Sequence, residues 1–343
     1  MAPEHTEDHE TPQGGVLTAV AEQAVEPSLL AWFHRAVSEW FAAEARDLPW
    51  REPECTPWGI LVSEVMLQQT PVVRVLPVWR EWMERWPHPA DLAAQPAGEA
   101  VRAWGRLGYP RRALRLHSAA TVIVTAHEGK LPDTEEGLLG LPGVGGYTAA
   151  AVAAFAFGRR AAVVDTNIRR VHARLVRGEA LPAPALTAAE RRLAEDLLPD
   201  DGAIGRNSAS VRWNAGVMEL GAVVCTARSP KCAACPVADG CAWRAAGEPP
   251  PSYVPKGQGW HGTDRQLRGA VMAVLRVASR PVPRVLFTGP DAAVFPGELG
   301  AVAAELARLH ALAPAPERLD RCVDGLVADG LAVERDGGLA LPH

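Results

Sequence analysis

The chain has 343 residues, 48% of them hydrophobic, which is enough for two or three compact units rather than one. Its formal net charge of −5 does not by itself indicate a nucleic-acid partner, and no apolar run approaches the roughly 18 residues that a membrane-spanning helix needs. The first 27 residues are polar and acidic, without the basic start and apolar centre of a secretory signal. We therefore expect a cytoplasmic protein with a disordered tail over residues 1–27.

The segment 28–246 has the pattern of short amphipathic helices separated by proline and glycine. Convincing strand alternation is absent from this segment, which predicts an all-α body. A stretch rich in proline and glycine follows over residues 247–264, and we interpret it as a linker because it cannot pack as a regular element.

A smaller unit is predicted after the linker, over residues 265–343. Its pattern favours helices at 265–277 and 316–329, followed by a hairpin that closes at 336–338. Helices followed by a small hairpin are typical of a winged-helix module. We expect the linker to hold this module at a distance from the body.

Glu64 is conspicuous because it lies among apolar residues in the stretch WGILVSEVMLQQT (58–70). Burying an ionised carboxylate without a partner is costly. Glu64 therefore either points to water from one narrow face of a helix or is held in an apolar pocket with a raised pKa. The second arrangement would make it a general acid.

A glycine-rich turn, LPGVGGY (141–147), precedes a helix of small residues. Glycine permits the positive φ of a tight turn, and such a turn presents backbone N–H groups to an anion at the start of a helix. This pattern is typical of the helix-hairpin-helix motif, which binds the DNA backbone without reading sequence. The alternative is an ordinary packing corner between two helices.

Arginine is concentrated near this turn, with five arginines and no acidic residue over residues 101–127. These residues form either a surface for a phosphate backbone or solvated helix faces. Asp165 lies downstream, after an apolar pair and before a basic helix. It could be only a helix N-cap, which aspartate favours, or it could stand at the mouth of a pocket near the glycine-rich turn.

Four cysteines lie within 17 residues, separated by six, two and five residues: Cys225, Cys232, Cys235 and Cys241. Four thiolates in one loop suit a tetrahedral metal or an iron–sulfur cube. A structural zinc site would more often use two C-x2-C pairs, and a cytoplasmic setting disfavours disulfides. The spacing resembles the cluster loop of the endonuclease III and MutY superfamily of DNA glycosylases. We therefore predict a [4Fe-4S] cluster that shapes a DNA-contacting loop.

Several motifs in order along residues 30–245 resemble the MutY-type adenine DNA glycosylases of the helix-hairpin-helix (endonuclease III) superfamily. They are LPWR (48–51), SEVMLQQT (63–70), LGY (107–109), LPGVGGYTA (141–149), VDTN (164–167), MELGAVVC (218–225) and the cysteine loop. SEVMLQQT is the discriminating motif, because endonuclease III-type enzymes have no glutamate there and place a lysine nucleophile where this chain has Tyr147. The resemblance implies an all-α, two-lobed glycosylase in a short form that lacks the usual NUDIX-like C-terminal domain.

The resemblance implies a monofunctional base-excision-repair enzyme that removes adenine mispaired with 8-oxoguanine or guanine and leaves an abasic site. Glu64 would protonate the base, Asp165 would stabilise the sugar cation, and Tyr147 and Asn167 would hold the carboxylates and the deoxyribose. The implied DNA- and base-binding residues are Arg46, Leu48, Trp50, Arg51, Gln68, Gln69, Thr70, Tyr109, Gly143 and Gly145. The implied partner is mispaired duplex DNA, bound by a monomer at the nucleoid and not at a membrane.

Two positions depart from the family pattern. Pro110 stands where relatives have a second tyrosine, and Ala215 stands where several have a Glu or Gln that contacts adenine. Two other functions stay open: a mismatch glycosylase that removes thymine or uracil opposite guanine, and a non-catalytic DNA-binding homologue. We expect the C-terminal module to add only weakly to DNA affinity.

Overall fold

The computed structural model describes residues 25–200, 202–254, 257, 259–288 and 300–343, so nearly all of the predicted tail lies outside the described residues. The described part is mainly helical, as predicted. Its helices are α1 (Pro27–Glu44), α2 (Pro57–Leu67), α3 (Val72–Arg85), α4 (Pro89–Ala93), α5 (Ala97–Ala103), α6 (Arg111–Ala126), α7 (Glu135–Leu139), α8 (Gly146–Phe157), α9 (Thr166–His172), α10 (Ala188–Asp196), α11 (Ala209–Val223), α12 (Ala242–Ala245), α13 (Asp264–Val277), α14 (Val285–Thr288), α15 (Ala301–His310) and α16 (Pro316–Ala328).

The remaining regular elements are short. Single 3-10 turns cover Pro49–Arg51, Cys232–Ala234 and Ala238–Gly240, and a π-helical turn covers Ala173–Arg177 directly after α9. Three strands, β1 (Val282–Pro283), β2 (Val333–Arg335) and β3 (Gly338–Ala340), form the one small sheet of the described residues. None of the described helices combines the length and the hydropathy needed to cross a bilayer.

Helix α2 lies at the centre of the body. It begins after Thr56, whose side chain accepts a hydrogen bond from the Gly59 N–H, and proline occupies its first position. Every residue from Trp58 to Met66 is buried, because the helix is apolar around most of its circumference. Glu64 is among them, with only 5% of its surface exposed. The alternative in which Glu64 points to water is therefore wrong.

The glycine-rich turn joins α7 to α8. Gly143 has a φ of +79°, and a Cβ there would lie 2.6 Å from the Cβ of Arg115, so the turn needs glycine at this position for two reasons. Gly145 has an ordinary extended backbone and is the N-cap of α8. Helix α8 is rich in alanine and is buried from Thr148 to Ala154, which lets it pack closely beside α2.

Helices α2 and α8 form one wall of the body, and helices α9 and α11 form the other. Asp165 caps α9 and Ser208 caps α11, each by accepting a hydrogen bond from a backbone N–H in the first turn. The two helices approach closely at Gly221, where a Cβ would lie 2.7 Å from the Cβ of Asn167. Helix α11 leads directly into the cysteine loop, so this contact places the loop beside α9.

The C-terminal segment contains the two helices and the hairpin that its sequence predicts, as α13, α16 and β2–β3. Asp336 and Gly337 both have positive φ, as a two-residue type I′ turn requires. Strand β1, which the sequence does not reveal, pairs antiparallel with β3 and gives the order β1-β3-β2. The winged-helix assignment stays a prediction.

The expectation that the linker holds this segment at a distance is wrong, because the segment packs directly on α5 and α6. The Gly98 N–H donates to the Pro342 carbonyl at 2.7 Å, and a Cβ at Gly98 would lie 2.4 Å from the same oxygen. Arg276 donates to the Val101 carbonyl at 3.2 Å. The buried apolar side chains of the body and of the segment form one continuous cluster. A sequence pattern shows that a helix has an apolar face, but it does not show which other surface of the protein that face packs against.

Candidate active site

A cleft of about 1320 Å³ opens between the two walls of the body. It exceeds the roughly 300–1,000 Å³ typical of small-molecule pockets, as a groove for a macromolecule would. Among the residues that line it are thirteen of those predicted for catalysis or DNA binding: Arg46, Leu48, Trp50, Arg51, Glu64, Gln68, Gln69, Thr70, Gly143, Gly145, Tyr147, Asp165 and Asn167. Tyr109 does not line the cleft and lies on the surface beside it.

Glu64 and Tyr147 form a buried pair on one side of the cleft. The Tyr147 hydroxyl donates a hydrogen bond of 2.7 Å to Oε2 of Glu64. Burial raises the pKa of Glu64 to about 7, and the charge of Asp165 acts in the same direction, whereas the Tyr147 hydrogen bond and Arg51 oppose the shift. Near neutral pH a substantial fraction of Glu64 is therefore protonated and able to donate a proton.

Asp165 both caps a helix and lines the cleft. Its Oδ1 accepts from the Ile168 N–H at 2.6 Å, and its Oδ2 accepts from Nδ2 of Asn167 at 2.9 Å. Burial raises the pKa of Asp165, whereas these hydrogen bonds and the charge of Arg170 act to lower it. Asp165 is thus a helix N-cap, as one of the two interpretations predicted. This does not exclude a catalytic role, because the same carboxylate is close enough to raise the pKa of Glu64.

Arg170 joins this helix to the cysteine loop. Its buried guanidinium donates to Oδ1 of Asn167 at 2.9 Å, to the Gly221 carbonyl at 2.6 Å and to the Cys225 carbonyl at 2.8 Å. These bonds fix the side chain of Asn167, because its oxygen is committed to Arg170 and its nitrogen to Asp165.

Glu219 is a site residue that the sequence analysis did not single out. Its side chain is only 1% exposed, and both Arg46 (2.6 Å) and Arg51 (2.7 Å) bridge to it. Although burial acts against this, the two arginines lower its pKa to about 2, so it is ionised. The sequence did contain a clue to this residue, because Glu219, like Glu64, is a glutamate within a largely apolar helix, and it lies one turn after Ala215. Both positions line the cleft, and on this wall the carboxylate is carried by Glu219 and not by position 215.

Arg112 organises the loop that follows α2. This buried guanidinium donates to the carbonyls of Val65 (2.9 Å) and Gln68 (2.6 Å), to the Thr70 hydroxyl (3.1 Å) and to the Gly108 carbonyl (3.0 Å). It therefore binds carbonyls that α2 leaves free at its C-terminal end. The Gln68 and Gly108 carbonyls that it binds directly precede two residues with positive φ, Gln69 (φ +54°) and Tyr109 (φ +47°).

The cysteine loop carries four free cysteines within one short segment. All four thiols are half-buried and none forms a disulfide. Burial raises the pKa of Cys235 to about 11, and the charges of the other three cysteines of the loop act in the same direction. Within the described residues no group of three or more side chains is placed to hold a single metal ion. In an iron–sulfur cube each thiolate bonds a different iron, so the four thiolates need not converge on one ion.

Comparisons with known proteins agree with this geometry. Residues 62–195 match the family described as the HhH-GPD superfamily base excision DNA repair protein, and residues 225–241 match the iron–sulfur binding domain of endonuclease III. The adenine DNA glycosylase of Mycobacterium tuberculosis is 46% identical over 319 residues, which cover 92% of this chain and 93% of that protein. The chain belongs to the adenine DNA glycosylase family.

Other members of the adenine DNA glycosylase family differ in length. The protein from Mycolicibacterium smegmatis is 45% identical over 88% of this chain and 93% of its own length. The human protein is 37% identical over 61% of this chain and 39% of its own length. Matches over about nine tenths of the chain include part of the C-terminal segment, whereas the human match is about as long as the body alone.

Solved structures share the fold of the body. A thermostable thymine-DNA glycosylase superposes with a TM-score of 0.56 and 29% identity, covering 64% of this chain and 98% of that chain. A non-covalent endonuclease III–DNA complex superposes with a TM-score of 0.53 at 22% identity, which shows the fold alone. The predicted helix-hairpin-helix glycosylase fold is confirmed. The predicted [4Fe-4S] cofactor is also confirmed, and Cys225, Cys232, Cys235 and Cys241 are the residues that would hold it.

Proposed function

We propose that this adenine DNA glycosylase family enzyme excises adenine mispaired with 8-oxoguanine or guanine, by hydrolysis of the N-glycosidic bond. The observation that carries the proposal is the buried Glu64 carboxyl, which receives a hydrogen bond from Tyr147 and shares one cleft with Asp165. Two carboxyl groups in different environments are what acid-assisted glycoside cleavage requires. A paired base cannot reach this buried site, so the adenine must first be turned out of the duplex.

Glu64 supplies the proton. Adenine is a poor leaving group until it is protonated, and Glu64 transfers its proton to N7 as the bond between C1′ and N9 breaks. The bonding electron pair leaves with the base, and the sugar develops positive charge. Glu64, now ionised, can take back a proton from the water that attacks C1′.

Asp165 stabilises the positive sugar. Its hydrogen bonds from Ile168 and Asn167 hold the carboxylate in place and favour its ionised form, so it faces the developing charge without having to reorganise. No lysine lines the described part of the cleft. The resemblance implies that Tyr147 stands where endonuclease III-type enzymes carry their lysine nucleophile. The enzyme therefore forms no Schiff base, and the reaction stops at an abasic site.

The adenine pocket is formed by Leu48 and Trp50 together with the Glu219 cluster. Leu48 and Trp50 are buried apolar side chains that reach the cleft wall, and they offer a surface for the flipped ring. Arg46 and Arg51 are held on Glu219 by short charged hydrogen bonds, so this wall is rigid before DNA binds. Glu219 is thus a positioning residue for the pocket.

The excision rate is expected to fall as the pH rises above about 7. Glu64 must be protonated to act, and its pKa of about 7 in the free protein places the loss of the proton there. Single-turnover rates measured from about pH 6 to about pH 9 test this. The Tyr147 hydrogen bond lowers the pKa of Glu64, so Tyr147→Phe should move the falling limb to higher pH. A flat profile would contradict the assignment of Glu64 as the acid.

The substrate is tested with labelled duplexes that carry A:8-oxoG, A:G, A:C, T:G and U:G. Under single-turnover conditions we expect excision of adenine from the first two, with strand breaks only after treatment with alkali. Excision of thymine or uracil in place of adenine would favour the alternative function, a mismatch glycosylase. The body shares its fold with a thymine-DNA glycosylase. Breaks without alkali would show that the enzyme is not monofunctional. We further propose that it acts as a monomer on nucleoid DNA.

A further inference from the structure

The C-terminal segment contacts the body beside a residue predicted to bind DNA. Nη1 of Arg265, in the first turn of α13, lies 3.4 Å from the Tyr109 hydroxyl. The same guanidinium lies 5.5 Å from the ring centroid of Trp260 and donates to the Gly259 carbonyl at 3.1 Å. Tyr109 is 45% exposed and Trp260 is 47% exposed. Half-exposed aromatic side chains beside an arginine offer stacking and charged contacts to a ligand at the surface. We call Tyr109, Trp260 and Arg265 the junction surface.

The junction surface continues from the rim of the cleft. Arg112 binds the Gly108 carbonyl, directly before Tyr109, and also binds Gln68 and Thr70, which line the cleft. The Tyr109 loop and the loop after α2 are therefore neighbours. Arg265 lies one contact further out, so DNA that occupies the cleft and passes Tyr109 would reach it.

The surroundings of the junction surface are positively charged. Arg74 and Arg106 are both exposed, and Arg74 donates to the Arg106 carbonyl. Within the described ranges no carboxylate lies at ion-pair distance from either of them, while Asp329 bridges Arg111 and Arg268. A local excess of arginine attracts phosphate even though the whole chain has a net charge of −5.

We propose that Arg265 binds a backbone phosphate of the duplex next to the extruded adenine, so that the C-terminal segment forms part of the DNA-binding surface. This inference rests on the proposed function, because it takes duplex DNA as the ligand of the cleft. The guanidinium already contacts the Trp260 ring, the Gly259 carbonyl and the Tyr109 hydroxyl, so little side-chain freedom is lost on binding. The expectation that the segment adds only weakly to affinity rested on its few basic residues, and it stays a prediction. The contact with the body places one of those residues, Arg265, beside Tyr109.

Docking of the segment rests on several contacts besides those of Arg265. The contacts of Gly98 with Pro342, of Arg276 with Val101 and of Arg111 with Asp329 lie elsewhere in the same interface. The bond between Arg265 and Tyr109, at 3.4 Å, is long and therefore weak. Replacing Arg265 should thus remove a charge without releasing the segment, which makes a point variant a cleaner test than truncation.

The test compares Arg265→Gln with the unaltered full-length protein for binding to an A:8-oxoG duplex that carries an uncleavable adenine analogue. We expect Arg265→Gln to weaken the affinity about three- to tenfold and to reduce the slope of log Kd against log salt by about one. The single-turnover excision rate at saturating enzyme should stay within about twofold. Arg308→Gln on α15 is the matched control, because Arg308 is exposed and paired locally with Glu305; it should leave both affinity and slope unchanged.

Arg265→Lys separates phosphate binding from docking. Lysine keeps the charge, so the slope should be retained. An unchanged affinity and slope in Arg265→Gln would overturn the proposal. An equal loss in Arg265→Lys and Arg265→Gln, with a lowered melting temperature in both, would overturn it as well, because Arg265 would then act only in docking. The proposed function is tested separately by the base that the unaltered protein excises, so either proposal can fail alone.

Discussion

Replacing Glu64 with glutamine is expected to slow adenine excision by at least about 10²-fold while affinity for an A:8-oxoG duplex is retained. Glutamine has nearly the same shape and keeps an oxygen that can accept the Tyr147 hydrogen bond, which is 2.7 Å long in the unaltered protein. What it lacks is a transferable proton. Single-turnover rates and equilibrium binding, measured on the same duplex, separate the loss of chemistry from a loss of binding.

Ser63→Ala is the matched control for Glu64→Gln. Ser63 is the preceding residue in the same buried helix, and its hydroxyl donates to the Ile60 carbonyl within that helix, at 2.8 Å. We expect Ser63→Ala to excise adenine at close to the original rate. Near-normal excision by Glu64→Gln would mean that Glu64 is a structural residue, and the proposed acid would have to be sought elsewhere in the cleft.

Asp165→Asn is expected to reduce excision by about 10²- to 10³-fold, the usual scale for the loss of one electrostatic contact in a transition state. The carboxamide oxygen can still accept from the Ile168 N–H, so the helix cap survives. The negative charge that faces the sugar cation does not. This variant keeps the helix cap and removes the charge. If the role of Asp165 is only structural, the variant should have normal activity, and if the role is catalytic, it should have almost none.

The stability of Asp165→Asn needs its own measurement. In the native protein Oδ2 of Asp165 accepts from Nδ2 of Asn167, and Asn167 cannot turn over without losing its bond to Arg170. An amide at position 165 would therefore set one N–H2 group against another, and we expect a loss of roughly 1 kcal/mol in the free energy of unfolding. Thermal melting checks this. A variant that is unfolded at the assay temperature would not support the catalytic role, whereas one that is folded and inactive would.

Much of the local structure could be predicted from the sequence because it depends on neighbours in the chain. Thr56 and Asp165 begin helices by binding N–H groups in the first turn after them. The positive φ of Gly143 and the turn at Asp336 and Gly337 follow from residue types that tolerate that backbone. The spacing of the cysteines identified the cluster loop in the same way, since one short segment carries all its ligands.

The buried position of Glu64 was a conditional prediction. The sequence left two orientations open, because an apolar helix with a single glutamate can turn that residue toward either solvent or the core. Packing of α2 between α3, α6 and α8 decided it. The same packing set the pKa of Glu64, because burial makes the largest contribution and the Tyr147 hydroxyl comes from another helix.

By itself the sequence determined the helical body, the glycine-rich hairpin and the cluster loop, and its motifs named thirteen of the residues that line the cleft. Only the tertiary structure decided three further features: the pairing of Glu219 with Arg46 and Arg51, the capture of α2 carbonyls by Arg112, and the docking of the C-terminal segment beside Tyr109. The physical reason is common to all three. Capping and turn geometry act over a few residues, where few arrangements are possible. A charged group distant in sequence finds its partner only when packing fixes which surfaces meet, and side-chain type alone leaves many such pairings open.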